Sequence, residues 1–151
     1  MAASFFIIGK EFKEASELEK SIRTCANNLG LLFNDQSTKE VLEYKLNTPD
    51  FENSVSLYPK GKETFDRKIE FEDDIKDYSI TVSLWNNFGN DIVIPFLQEF
   101  FKIYPDMRLY NADFSKENEP PLVYDKAYLD KFDGTGEDWW PYLVDKTKVV
   151  V

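Results

Sequence analysis

The chain has 151 residues, with 28 Asp/Glu against 18 Lys/Arg, a net charge of −10, no histidine and one cysteine. Without histidine there is no side chain that titrates unperturbed near pH 7, no Ser-His or Cys-His dyad and no common zinc or iron site. The length is that of one domain, spanning 1–151, which buries roughly 70% of the surface its unfolded chain would expose, and the acidity repels phosphate backbones and anionic membranes, which weighs against direct nucleic-acid or membrane binding.

The first apolar run, Phe5-Phe6-Ile7-Ile8, is short, includes β-branched members and lacks a basic cluster before it. It reads as a central strand buried on both faces, not as a signal peptide or a membrane span, and the protein is expected to be cytoplasmic. From Ser16 the apolar residues Leu18, Ile22, Cys25, Ala26 and Leu29 recur at helical spacing. The spacing predicts a helix over 15–29, with Ser16-x-x-Glu19 as a capping box and Gly30 at the C′ position. Cys25 lies on that stripe and is expected to be a small buried thiol.

Leu31-Leu32-Phe33 reads as a short strand and Asn34-Asp35-Gln36 as a turn, while 38–46 fits either a short helix capped by Ser37-x-x-Glu40 or a strand. Val55 and Leu57 alternate with serines, Pro59-Lys60-Gly61-Lys62 reads as a turn, and Phe65, Ile69 and Phe71 recur at period two; together these predict a β-hairpin. In 78–85, Tyr78, Ile80, Val82 and Leu84 alternate with Ser79, Thr81, Ser83 and Trp85, a strand with one apolar face. Val93, Phe96, Leu97, Phe100, Phe101 and Tyr104 predict a second helix over 91–104, with Pro95 in its first turn and Pro105 as its stop. Short strands follow at 107–110 and 122–124, separated by a polar loop, and 145–151 reads as a loosely held tail.

The assembled expectation is an α+β domain: a mostly antiparallel, twisted sheet of about five or six strands, with the two main helices packed on one face. Two stretches stand out as binding surface. Residues 63–77 hold seven acids and three bases, and within them Glu70, Glu72, Asp73, Asp74 and Asp77 form a dense acidic turn able to steer a basic partner. Residues 134–142 place Glu137 and Asp138 beside Trp139, Trp140 and Tyr142, and aromatics next to acids suit an interface hot spot. Neither stretch has the spacing of a calcium loop, and Gly61-Lys62 lacks the other residues of a phosphate loop. No catalytic residue, cofactor site or metal site is assigned.

Phe5-Phe-Ile-Ile-Gly9 before an amphipathic helix, Ser79-Ile-Thr-Val-Ser-Leu-Trp85-Asn86 as a strand entering a loop, a Phe-rich helix closed by Tyr104-Pro-Asp106, and the late Gly-Glu-Asp-Trp-Trp-Pro-Tyr-Leu143 resemble the bacterial polymorphic-toxin immunity proteins of the class numbered fifty-two. The resemblance implies a cytoplasmic, single-domain α+β inhibitor without enzymatic activity. Its partner would be the C-terminal catalytic domain of a cognate toxin, a protein with a basic surface. Two other readings stand beside it: a nucleic-acid-mimicking inhibitor of DNA-binding proteins, and a carboxylate-dependent hydrolase.

One consequence of this composition is testable before any partner is known. Thermal melting in excess chelator should superimpose on melting without it, since no His and one buried thiol leave no complete ligand set. A large drop in melting temperature on chelation would overturn the assignment of no metal.

Overall fold

The computed structural model describes residues 3–69, 75–88, 92–112 and 121–132. Its first strand, β1 (Ala3–Gly9), runs through the interior of a seven-stranded sheet of order β2-β3-β4-β5-β1-β6-β7. The other strands are β2 (Leu32–Asp35), β3 (Tyr44–Asn47), β4 (Ser54–Pro59), β5 (Ser79–Phe88), β6 (Arg108–Tyr110) and β7 (Val123–Tyr124). Every pairing is antiparallel. Helices α1 (Ala15–Leu29) and α3 (Val93–Ile103) are the long ones; α2 (Lys62–Phe65) and α4 (Lys126–Leu129) are single turns. The α+β class and the antiparallel sheet agree with the sequence reading, and the sheet has one strand more than the upper expectation of six.

β1 is buried because its residues are apolar on both faces. Phe5 and Ile7 oppose Leu84 and Val82 of β5, and Ile7 also opposes Leu109 of β6. These residues join the main core, where α1 contributes Leu18, Ile22, Cys25 and Ala26 and α3 contributes Phe96, Leu97, Phe100 and Phe101. Both helices therefore cover the same face of the sheet. The α3 rings stack along the helix, Phe96 on Phe100 at 5.5 Å and Phe100 against Tyr104 at 5.1 Å. Pro95 falls in the first turn of α3, where a missing N–H costs nothing. Gln98 reaches out of α3 and donates from Nε2 to the carbonyl oxygens of Leu129 and Phe132, each at 2.8 Å, which ties α4 to the same layer. Asp125 caps α4 by accepting from the Tyr128 N–H at 2.9 Å.

The ends of α1 divide the expectation. Gly30 stands at φ 68°, and its N–H reaches the carbonyls of Ala26 and Asn27; the Leu31 N–H also bonds the Ala26 carbonyl at 2.9 Å. Glycine is the residue that adopts this left-handed turn without a Cβ penalty. The capping box does not form. Glu14 occupies the N-cap without a side-chain cap bond, Ser16 is exposed inside the first turn, and the Glu19 carboxylate is drawn away by the Tyr44 hydroxyl at 3.0 Å and by Arg23 Nε at 3.3 Å.

Three further corrections concern the sheet. Asn34 and Asp35 belong to β2, opposite Lys45 and Tyr44, so the turn comes later. There Ser37 Oγ accepts from the Glu43 N–H at 3.0 Å and Asp35 Oδ1 accepts from the Ser37 N–H at 2.9 Å, which folds 36–43 into a loop and leaves Tyr44–Asn47 as a strand. The hairpin expected between 54–59 and 65–71 is absent among the described residues. β4 pairs instead with the ten-residue β5, and 62–65 coils into α2, helped by the i,i+4 ion pairs Lys62–Asp66 and Arg67–Glu63.

The alternation over 78–85 does not place four apolar residues on one face. Ile7 opposes Val82 while Ile8 opposes Ile80, so Thr81 is an inserted residue, a β-bulge that reverses the side-chain phase. Val82 and Leu84 enter the main core, whereas Tyr78 and Ile80 pack with Ile8, Ile69, Ile75, Tyr110 and Val123 in a second, smaller cluster on the opposite face. The segment after β4 thus roofs that face through Ile69 and Ile75. Phe65 is buried beside it, edge-on to Phe12 at 5.6 Å.

Ile22 is fully buried on the α1 stripe and Lys20 is exposed on the other side of the helix. Ile22→Ala is expected to lower stability by about 2–4 kcal/mol and Lys20→Ala by less than about 0.5 kcal/mol. Urea unfolding of the two variants measures this; equal, small effects would contradict the packing of α1.

Candidate interaction surface

Cys25 is buried, and burial followed by the nearby Glu99 charge pushes its thiol from an ordinary 9.0 to about 12, which leaves it unreactive. Among the described residues no group of three His, Cys, Asp or Glu side chains is placed to hold a metal ion. None of their helices is long and apolar enough to cross a membrane.

A cleft of about 370 Å³ opens where β1 ends and α3 turns into β6. Lys10, Lys13 and Arg108 line it with Glu11, Asp106 and the rings of Tyr78 and Tyr104. Its cations are held by the walls. Lys10 Nζ lies 5.1 Å from the Tyr78 ring centre, Lys13 Nζ lies 5.6 Å from that of Tyr104 and 3.7 Å from Glu11, and Arg108 Nη1 donates to the carbonyls of Asp106 and Met107 at 3.1 and 3.0 Å. None of these contacts pairs a nucleophile with a base.

Behind it, Tyr104 joins the two long helices. Its hydroxyl donates to Glu17 Oε2 at 2.8 Å and lies 2.8 Å from Ser21 Oγ. Burial, with Glu17 beside it, raises the phenol from 10.0 to about 12. Tyr44 behaves alike, raised from 10.0 to about 12 by burial and by its bond to Glu19.

What the molecule offers a partner is surface. Among the described residues, the second cluster covers the face opposite α1 and α3 beside β1, β6, β7 and the start of β5; further across the sheet that face carries Asn34, Lys45, Asn47, Ser54 and Ser56, of which Asn47, Ser54 and Ser56 are buried. Trp85 stands here opposite Ser56 of β4 and is 43% exposed, because a serine neighbour gives the indole nothing tall to pack against. Leu32, on the edge strand β2, shares this face and is 41% exposed. At the end of this half-sheet the β3–β4 hairpin carries Phe51, 64% exposed and at φ 61°. The left-handed region costs a residue with a Cβ about 1–2 kcal/mol.

Of the ten residues expected to form the binding surface, Glu70, Glu72, Asp73, Asp74, Glu137, Asp138, Trp139, Trp140 and Tyr142 lie outside the described residues. Asp77 is described: it is exposed, in the turn closed by the Tyr78 N–H to the Ile75 carbonyl at 2.9 Å, and its own carbonyl accepts from Lys68 Nζ at 3.5 Å. Trp85, Leu32 and Phe51 were not anticipated as surface aromatics and aliphatics. The signal for Trp85 was present, since it alternates with Ser79, Thr81 and Ser83; for Phe51 it was a bulky ring directly after Pro49-Asp50 in a turn.

The three raised groups set a pH dependence. Their protonated forms are favoured in the fold, so their contribution is complete below the ordinary values of 9.0 and 10.0 and is lost as pH rises toward about 12. Urea midpoints should therefore decline from pH 9 toward 12, beginning with Cys25, and Cys25→Ala should reduce the early part of the slope. A flat profile in that window would contradict the burial of all three groups.

No family model, curated protein or solved structure matches this chain.

Proposed function

We propose that this chain is a non-catalytic inhibitor that binds and neutralises a cognate bacterial toxin domain in the cytoplasm, the role its resemblance to the immunity proteins implies. The observation that carries the reading is Trp85: a large indole left 43% exposed opposite Ser56, in a chain of net charge −10. Exposed Trp next to polar surface is the composition of an interface anchor, and an acidic field speeds encounter with a basic partner. The thiol buried out of reach and the cleft whose cations are held by its walls favour binding over catalysis. By composition, the acids of 70–77 are proposed to steer the partner and the aromatics of 133–142 to anchor it.

The test is co-expression of this chain with the C-terminal domain encoded by the neighbouring upstream gene, scored as growth rescue and followed by binding kinetics. Rescue is expected, and Trp85→Ala, Trp139→Ala and Trp140→Ala should each weaken binding by about 2 kcal/mol, roughly 30-fold, chiefly through faster dissociation with an unchanged melting temperature. Charge reversal at Glu72, Asp73 and Asp74 should instead slow association and alter its salt dependence. Growth arrest that this chain does not relieve would reject the reading. Binding to several unrelated basic proteins, lost steeply with salt, would assign the nucleic-acid mimic in its place.

A further inference from the structure

The β3–β4 connection, Thr48-Pro-Asp-Phe-Glu-Asn53, is locked from within. The Thr48 N–H donates to the Asn53 carbonyl at 3.0 Å and the Phe51 N–H to the Thr48 carbonyl at 2.9 Å. The Thr48 hydroxyl donates to Asp50 Oδ1 at 2.6 Å, which also accepts from the Glu52 N–H at 3.0 Å, and Thr48 Oγ1 accepts from the Asn53 N–H at 3.1 Å. These two contacts hold the Asp50 carboxyl below its usual range, so the loop keeps its charge.

Phe51 has the only positive φ of a non-glycine residue among those described, and it is the most exposed of their large apolar side chains. Folding gives no reason for this choice. A left-handed turn position is served by Gly or Asn, which adopt it without strain, and a ring left 64% exposed gains little burial to set against the strain it carries. The ring is nevertheless presented on a rigid loop with two rotatable side-chain bonds, so little entropy is lost when it is captured. Asp50 and Glu52 flank it on either side.

Resting on the inhibitor reading above, we infer that Phe51 is a preorganised anchor which enters an apolar pocket on the basic toxin partner, while Asp50 and Glu52 meet cations at the pocket's rim. Charge argues for that occupant over a second copy of this chain, since two bodies of net charge −10 repel. The hairpin closes at the pair Asn47↔Ser54, two residues along β4 from Ser56 and its neighbour Trp85.

The experiment sets stability against affinity in the same variants. Phe51→Asn and Phe51→Gly relieve the backbone, so their melting temperatures should hold or rise by a few degrees, while affinity for the upstream-encoded toxin domain falls about 30-fold or more through faster dissociation. Glu52→Lys should leave melting unchanged and slow association at low salt. If the wild-type chain binds that domain and Phe51→Asn binds it equally well, the anchor assignment is wrong and the inhibitor reading stands. If the wild-type chain does not bind, both fall. A melting loss in proportion to the affinity loss would make Phe51 part of the fold, and a wild-type chain that self-associates in sedimentation while Phe51→Asn is monomeric would give the site to a second copy; either result overturns the proposal.

Discussion

The fold depends on one strand having no polar side. Phe5, Ile7 and Ile8 of β1 are fully buried, the first two against the helices and the third against the roof formed by Ile69, Ile75 and Tyr78. A strand apolar on one side only supports a two-layer structure, with the other face left to water. Here both faces need cover, and among the described residues the covers are of unequal size: α1 and α3 on one side, Ile69, Ile75 and Tyr78 on the other. At about 25 cal/mol per Å² of apolar surface buried, the helical side carries most of the stabilisation, while the roof needs to seal only the central strands.

The bulge at Thr81 is what lets β5 serve both layers. Without the inserted residue, Tyr78 and Ile80 would point with Val82 and Leu84 into a core already filled by the α3 rings, where interiors have no room for two further side chains. With it, the strand changes phase beside Ile8, and its first part packs under the roof. The insertion has a cost: Ser79 Oγ and Thr81 Oγ1 are buried without partners among the described residues. Such groups cost about 1–3 kcal/mol each when unsatisfied, and the apolar contacts on both sides of the sheet must exceed that sum.

What was legible in the sequence was what local spacing decides. α1 shows its stripe and its Gly30 stop within fifteen residues, β1 shows its buried run within four, and α3 shows its rings and prolines in order. Missing were outcomes set by competition between distant segments. Phe65 and Ile69 have strand spacing, but the edge they would pair with is taken by β5, and that choice is made by residues 79–88 together with 54–59. Ser16 and Glu19 have capping-box spacing, but Tyr44, a residue from another element, claims the carboxylate. The proposed binding surface shows the same division. Acidic and aromatic runs are visible in the chain as composition, whereas the exposure of Trp85 follows from a serine across the sheet and that of Phe51 from a backbone angle, neither of which composition encodes.

The two exposed aromatics differ in what the fold gives up for them. Trp85 sits in ordinary extended backbone, and its exposure forfeits only the burial it would have had under a larger roof. Phe51 imposes a positive φ as well, and a domain of this size has only about 5–15 kcal/mol of net stability to set against such strain. A turn closed by five hydrogen bonds within six residues can hold that angle, because local bonds form without long loop closure. The strain is therefore borne where it is least able to spread into the core, at the tip of a hairpin whose strands are already fixed by β2 and β5 on either side. An exposed ring whose angle the fold must maintain at its own expense is better explained by something outside the chain than by anything within it.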